Sequence, residues 1–326
     1  MAKHADPFNP TPASASGPVV PAPSIAILPA PTAELAAAVT GGGGVVEPLS
    51  DTTVGVVLAD AVGAAELEKV LDEHPGIRWI QLYLAGVDQY EHLMRANRAR
   101  EWTSGKGAFG QPVGEFALTL TLAIMRGIPV FPSSRGRSAG GRRGERPCTA
   151  EMWSWSAPGV SAPKSCGCCR HSPTTSLWSG RTTGRCPERT VTDDGLDEAL
   201  AGADVVILAA AMTGGTEHLI DARRLALLRP EAFLVNISRG PMVDTEALVT
   251  ALAGGKLAGA ALDVTDPQPL PEGHPLWAEP RALITPHTAE TPDMVAPLLA
   301  ARVQENVRRF SAGQPLDGKV DVDEGY

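Results

Sequence analysis

Short apolar runs alternate with helical periodicities along most of this chain, and the alternation breaks down over one long stretch. Ser24–Leu28 is a five-residue apolar run closed by Pro29. Thr32 then stands where a helix N-cap belongs, and an Ala-rich segment follows as far as the glycines at 41–44. The unit recurs, with a strand expected over 54–58, a helix over 64–71 and a strand over 77–82 that leads into Ala85-Gly86-Val87-Asp88. Residues 114–125 read as a long apolar helix buried between layers. From Pro132 to Arg189 the only Leu, Ile or Val residues are Val160 and Leu177, so neither a period-2 nor a period-3.6 pattern can be drawn. The pattern resumes at Val191, with a helix over 196–200, a strand over 204–209, a helix capped by Asp221 and a strand over 233–237. After these come a helix capped by Asp244 and stopped by Gly254-Gly255, and strands over 259–264 and 282–285. Thr291-Pro292 opens a last helix to about Phe310, with proline in the first turn, where its missing N–H is not needed. Such alternation implies an α/β fold whose parallel sheets carry helices on both faces. Read this way, the second half is the back of a doubly wound sheet without its front.

A length of 326 residues is enough for two medium domains, each with its own core. With 28 Lys and Arg against 37 Asp and Glu, a net charge of -9 argues against a nucleic-acid or anionic-membrane surface. A small-molecule role fits better. No apolar run approaches the roughly 18 residues a membrane span needs, and residues 1–23 form a Pro/Ala/Ser tail with no apolar signal-peptide core, so the cytoplasm is the expected compartment.

Candidate chemistry collects just past the expected strand ends, where open parallel sheets bind ligands. The clusters are Asn236-Ile237-Ser238-Arg239-Gly240 with Val243-Asp244, then Leu262-Asp263-Val264 followed by Pro267-Gln268-Pro269-Leu270-Pro271, then Thr285-Pro286-His287-Thr288-Ala289. An arginine can grip a carboxylate through two parallel hydrogen bonds, and a histidine can pass a proton near neutral pH. Taken singly, Arg239, Asp263 and His287 read equally well as a surface arginine, a turn former and a loop histidine. Their order and spacing together carry the signal.

That combination resembles the D-isomer-specific 2-hydroxyacid dehydrogenases. The resemblance rests on N-x-x-R-G-x-x-V-D-x-x-A-L over 236–248, then L-D-V, P-L-P and P-H-x-A, with Ala85-Gly86-Val87-Asp88 similar to the family's substrate loop and Gly114-Glu115-Phe116-Ala117 to the start of its interdomain helix. It implies a flavodoxin-like substrate domain from residues 24–111 plus 291–326, and a Rossmann NAD-binding domain from 112–290 with 132–189 anomalous and its first βαβ unit disrupted. It further implies hydride transfer between NAD or NADP and a small 2-keto or 2-hydroxy acid, in a homodimer. Carried over by position, Arg239 would hold the substrate carboxylate, His287 would act as the acid or base, and backbone around Ala85 and Gly86 would help fix the carboxylate. Asp263 would bind the nicotinamide carboxamide, with Ala210, Ile237, Ser238 and Ala289 bordering the cofactor. Gln268 stands where the family carries a glutamate paired to the histidine, so it can orient the ring but supplies no charge. A Gln-His pair is similar to that of the formate dehydrogenases of the same superfamily, an alternative reading of the chemistry. Non-catalytic, NAD-sensing binding proteins share this fold and are another.

All five cysteines and three of the six tryptophans fall within residues 148–189, where the resemblance calls for a strand, a G-x-G-x-x-G turn, a helix and a second strand. Cys166, Cys168 and Cys169 have no partner pair at zinc-finger spacing, so no metal site is expected. A disordered insertion would leave the sheet without its central strand. The genetic code offers another explanation. If each codon's last base is read with the first two of the next, the residues from Pro147 can spell L-Y-G-R-D-V-V-V-V-G-A-G-G-I-G, and those around Leu177 can spell V-V. About forty residues are therefore expected to be an out-of-frame translation, and a product made that way is expected to bind cofactor poorly. Independent reading of the gene tests this: in-frame codons for these residues, with no glycine-loop frame beneath, would refute it.

Overall fold

In the computed structural model the described residues are 21–128, 195–323 and 325–326, together with the backbone of Ser154–Ser156, Leu177–Ser179 and Arg189–Val191. Two parallel sheets result. The first contains β1 (Ser24–Leu28), β2 (Val45–Val46), β3 (Thr53–Leu58), β4 (Trp79–Gln81) and β5 (Glu101–Thr103), in the order β2-β1-β3-β4-β5. Between them run α1 (Ala33–Gly41), α2 (Ala64–Glu73) and α3 (Glu91–Ala96). Side chains on β1 and β3 alternate between two cores, as strand geometry requires. Ala26, Val56 and Leu58 pack with Leu67 and Leu71 of α2 and Met94 of α3, while Ile25, Ile27 and Val57 pack with Leu35 and Val39 of α1. The final helix α9 (Pro292–Ser311) returns to this second core through Leu299, Val303 and Val307.

The second sheet holds β6 (Ser154–Ser156), β7 (Leu177–Ser179), β8 (Arg189–Val191), β9 (Val205–Leu208), β10 (Phe233–Asn236), β11 (Gly259–Leu262) and β12 (Ala282–Ile284), ordered β12-β11-β10-β9-β6-β7-β8. This is the doubly wound order of a dinucleotide-binding fold, and the first sheet has the flavodoxin-like order, as expected. One face of β9, β10 and β11 buries Val206, Leu234 and Leu262 against α5 (Leu196–Gly202), α6 (Ala222–Leu227), α7 (Thr245–Ala253) and α8 (Pro275–Ala278). The other face buries Ile207, Val235 and Ala261 against Ala117, Leu120 and Ile124 of α4 (Gly110–Met125). Caps fall where the sequence places them: Asp221 accepts from Arg224 N at 2.8 Å and Asp244 from Ala247 N at 2.9 Å.

The front of the second sheet, for which no pattern could be drawn in the sequence, is present as β6, β7 and β8. Backbone pairing puts β6 between β9 and β7 at the centre of the sheet, a position that apolar periodicity could not reveal because Ser-Trp-Ser and Leu-Trp-Ser are too short to show a period. The glycine loop and helix expected between them, the five cysteines and residues 1–20 lie outside the described residues. Among the described residues no helix is long and apolar enough to cross a membrane.

A buried polar network ties α9 to the first sheet. Trp79 Nε1 donates to Thr103 Oγ1 (2.8 Å), whose hydroxyl donates to Gln81 Oε1 (2.9 Å). Asn306 Nδ2 donates to the same oxygen (2.9 Å), and Asn306 Oδ1 accepts from Asp317 N (2.8 Å). Asn306 is fully buried, so truncating it removes one of the two donors on Gln81 Oε1 and leaves Asp317 N without its acceptor. Asn306→Ala is expected to destabilise the protein by about 2–4 kcal/mol, seen as a lower urea midpoint with an unchanged slope. An unmoved midpoint would show that the network does not hold the helix.

Candidate active site

Residues beyond the carboxyl ends of strands from both sheets line one cleft of about 200 Å³. From the first sheet come Ala85, Gly86 and Asp88 after β4; from the second come Ala210 after β9, Ser238 and Arg239 after β10, and His287 and Ala289 after β12.

Arg239 is placed by its own loop. Asn236, 1% exposed, accepts from Ser238 N at 3.0 Å and donates to Arg239 O at 2.9 Å, which closes the turn. The Ser238 hydroxyl donates to Ala210 O. The Arg239 guanidinium donates from Nε to Asp88 Oδ2 and from Nη1 to Ser238 O, both at 2.9 Å. Its Nη2 lies so close to Gly86 that a methyl group at residue 86 would overlap it. On the far side, a methyl at Gly240 would overlap the Thr265 carbonyl. Gly86 thus lets the arginine side chain lie against the substrate-side loop, and Gly240 lets the arginine loop pack on the Thr265 carbonyl.

His287 stands in the left-handed region, at φ 56, a conformation uncommon for a residue with a side chain. Asp263 holds it there. The Asp263 backbone carbonyl accepts from His287 N at 2.9 Å, and its carboxylate accepts from Thr285 Oγ1 (2.6 Å), Thr288 N (2.9 Å) and Ala289 N (2.9 Å). Asp263 is 2% exposed and does not line the cleft. It lies behind the His287 loop, with its carboxylate bonded to three loop donors.

Gln268 Nε2 lies 2.8 Å from His287 Nδ1. With the amide nitrogen donating, Nδ1 is the acceptor and the ring proton sits on Nε2. Turning the amide over would present oxygen to a protonated Nδ1 instead, so glutamine serves both ring states where a carboxylate would favour the cation. Loss of solvent around the ring and the Arg239 charge hold the His287 pKa below its usual value, against the pull of Asp263.

The walls suit the nicotinamide end of a dinucleotide. Ala209, Ala210, Ala211 and Ala289 leave room against Ile237 at the sheet's carboxyl edge, where such folds bind their cofactors. The stretch where a phosphate-binding loop is expected lies outside the described residues. Among the described residues, no group of His, Cys, Asp or Glu is arranged to hold a metal ion.

Three cleft residues went unnoticed in the sequence. Lys106 follows β5, a strand too short to have been expected. Glu290 directly follows the P-H-x-A motif, and Tyr326 arrives from the far end of the chain through contacts no local signal records. Burial pushes the Glu290 carboxyl up, opposed by Arg239 and reinforced by Asp263.

A parallel, doubly wound pair of sheets with a small-residue cofactor edge and an Arg/His cleft between them defines a nucleotide-dependent oxidoreductase of small acids. Residues 177–289 match the model of the D-isomer specific 2-hydroxyacid dehydrogenase, NAD binding domain. An uncharacterised protein of Corynebacterium melassecola is 32% identical over 262 residues, covering 77% of this chain and 84% of that one. The glyoxylate reductase of Thermofilum pendens is 32% identical over 257 residues, covering 72% and 70%. Among solved structures, a D-isomer specific 2-hydroxyacid dehydrogenase from Xanthobacter autotrophicus Py2, in complex with NADPH and MES, superposes with a TM-score of 0.75 at 26% identity, covering 94% of this chain and 100% of that one. The chain belongs to the D-isomer specific 2-hydroxyacid dehydrogenase family, whose members are NAD(P)-dependent oxidoreductases.

Proposed function

We propose that this protein interconverts a small 2-keto acid and its 2-hydroxy acid in the cleft between the sheets, Arg239 binding the carboxylate and His287 exchanging the proton at the substrate oxygen. The observation that carries the reading is the convergence of Arg239, His287 and the Ala85-Gly86 loop on one cleft, with Gln268 on the far nitrogen of the histidine. The nicotinamide supplies or accepts the hydride when bound. Everything else falls to the chain. Arg239 Nη2 and the backbone at 85 and 86 orient the acid. His287 donates from its outer nitrogen as the keto oxygen gains charge and recovers the proton in the reverse direction. Asp263 and Gln268 position that ring from behind, and Ala210, Ile237, Ser238 and Ala289 border the nicotinamide. The same reading takes residues 24–111 with 291–326 as the substrate domain and 112–290 as the NAD(P)-binding domain, in a cytoplasmic homodimer. It also takes 148–189 to be translated out of frame; β6 and β7 lie where the displaced frame spells valines, which supports that idea.

Loss of reduced nicotinamide absorbance on adding glyoxylate or hydroxypyruvate tests the function, with NADH and NADPH compared. Gln268 gives the pH dependence a sign. Reduction needs protonated His287, whose pKa is held down, so turnover should fall as pH rises through that lowered value. Gln268→Glu adds an anion at Nδ1 and should move the falling limb of kcat upward by about one pH unit or more. An unmoved limb would remove Gln268 from the account.

A further inference from the structure

We propose that Lys106, backed by Tyr326, forms a subsite for a second carboxylate on the substrate, so that the cleft prefers 2-keto and 2-hydroxy dicarboxylic acids to monocarboxylic ones. This rests on the substrate cleft assigned above and specifies what fills its far end.

The cleft holds two strong cations, and they come from opposite walls. Arg239 follows β10 of the second sheet; Lys106 follows β5 of the first. The loop carrying Lys106 is fixed through its backbone. Gly105 N donates to Leu84 O (2.9 Å), tying it to the substrate loop, and Ser104 N donates to Gly318 O (2.9 Å). Lys106 N donates to Ser104 Oγ (3.2 Å), and Lys106 O accepts from Arg302 Nη1 (3.0 Å).

Its ammonium stands 4.3 Å from the centroid of the Tyr326 ring, in cation-π range. That ring is placed by the returning tail: Val320 N donates to Trp102 O (2.9 Å), Asp321 N to Tyr326 O (2.8 Å) and Gly325 N to Asp321 O (2.9 Å). Among the described residues Nζ makes no hydrogen bond and no close ion pair. Burial lowers the Lys106 pKa, with Asp321 acting against it through space. A half-buried ammonium has three donors to satisfy, and a ring face satisfies none of them as hydrogen bonds. A carboxylate does, and it restores the attraction that desolvation removed from solvent.

The acids in the cleft do not cancel this charge. Asp88 is engaged with Arg239, and the Glu290 carboxyl is pushed up by burial, which weakens its claim as an anion. An acid whose first carboxylate sits on Arg239 therefore finds one further free cation along the described walls, at Lys106.

D-malate and D-lactate differ at the end that Lys106 would read, and NADPH forms no product with an acid already reduced. Calorimetric titration of the full chain with each acid, with and without NADPH, tests the proposal. Malate is expected to bind about tenfold tighter or more, the size of one charge-assisted hydrogen bond. Lys106→Gln should abolish that advantage and leave lactate binding unchanged, and Lys106→Arg should restore it. Lactate binding that depends on Arg239, with no preference for malate, would overturn the subsite and leave the cleft assignment standing. Equal weakening of both acids by Lys106→Gln would also overturn it. If neither acid binds, the cleft assignment fails and takes the subsite with it.

Discussion

His287→Gln is expected to lower kcat for 2-keto acid reduction by about 10²- to 10⁴-fold, the usual contribution of a positioned general acid, while the KM for the acid changes little. The reason lies in how few groups can take the role. Within the described cleft the other titratable side chains are Asp88, Lys106, Arg239, Glu290 and Tyr326. Arg239 does not release its proton near neutral pH, and Asp88 is paired to it. Only His287 is an imidazole, a group suited to passing a proton, and its Nδ1 is held by Gln268, which leaves Nε2 to meet the substrate. Glutamine keeps hydrogen-bonding capacity at 287 but cannot carry the proton, so the loss should appear in kcat, and the pH dependence of kcat should flatten. A variant with wild-type kcat would transfer the acid role to another residue, Glu290 first.

Arg239→Gln is expected to have the second large effect, a fall of about 10²- to 10³-fold in kcat/KM, with KM rising as well. Two effects combine. The charge-assisted grip on the substrate carboxylate is lost, and Asp88 loses its Nε partner at 2.9 Å and is left as an anion in the cleft that must receive another anion. Arg239→Lys should recover only part of this, because an ammonium cannot hold Asp88, the Ser238 carbonyl and a carboxylate in one plane. Steady-state kinetics on the three proteins decides it; a lysine variant equal to wild type would mean that charge alone, without the planar fork, suffices.

Much of this architecture was readable from the chain. The strands of the two cores are apolar runs flanked by turn residues, and Thr32, Asp221 and Asp244 cap helices as their positions suggest. Arg239, Gln268 and His287 converge because each follows a strand end, and parallel sheets gather strand ends on one edge. What escaped was short or long-range. The strands β2 and β5 have two and three residues, too few for a period, and the loop holding Lys106 was lost with β5. Asp263 was recognisable as important but not as a loop anchor, since its partners at 285–289 come together only after β12 pairs with β11. The central strands β6 and β7 carry no apolar pattern at all; parallel pairing to β9 and to each other defines them.

The most direct test is consumption of NADH or NADPH with glyoxylate or hydroxypyruvate, by this chain and by a variant in which residues 148–189 are restored to the displaced frame. The restored protein is expected to bind reduced nicotinamide and turn over the keto acid at a rate that collapses with His287→Gln, and the unrestored chain to bind the cofactor poorly. A restored protein that binds NADH yet reduces neither of these acids nor the dicarboxylic oxaloacetate would contradict the account and make the cleft a sensor of the nicotinamide.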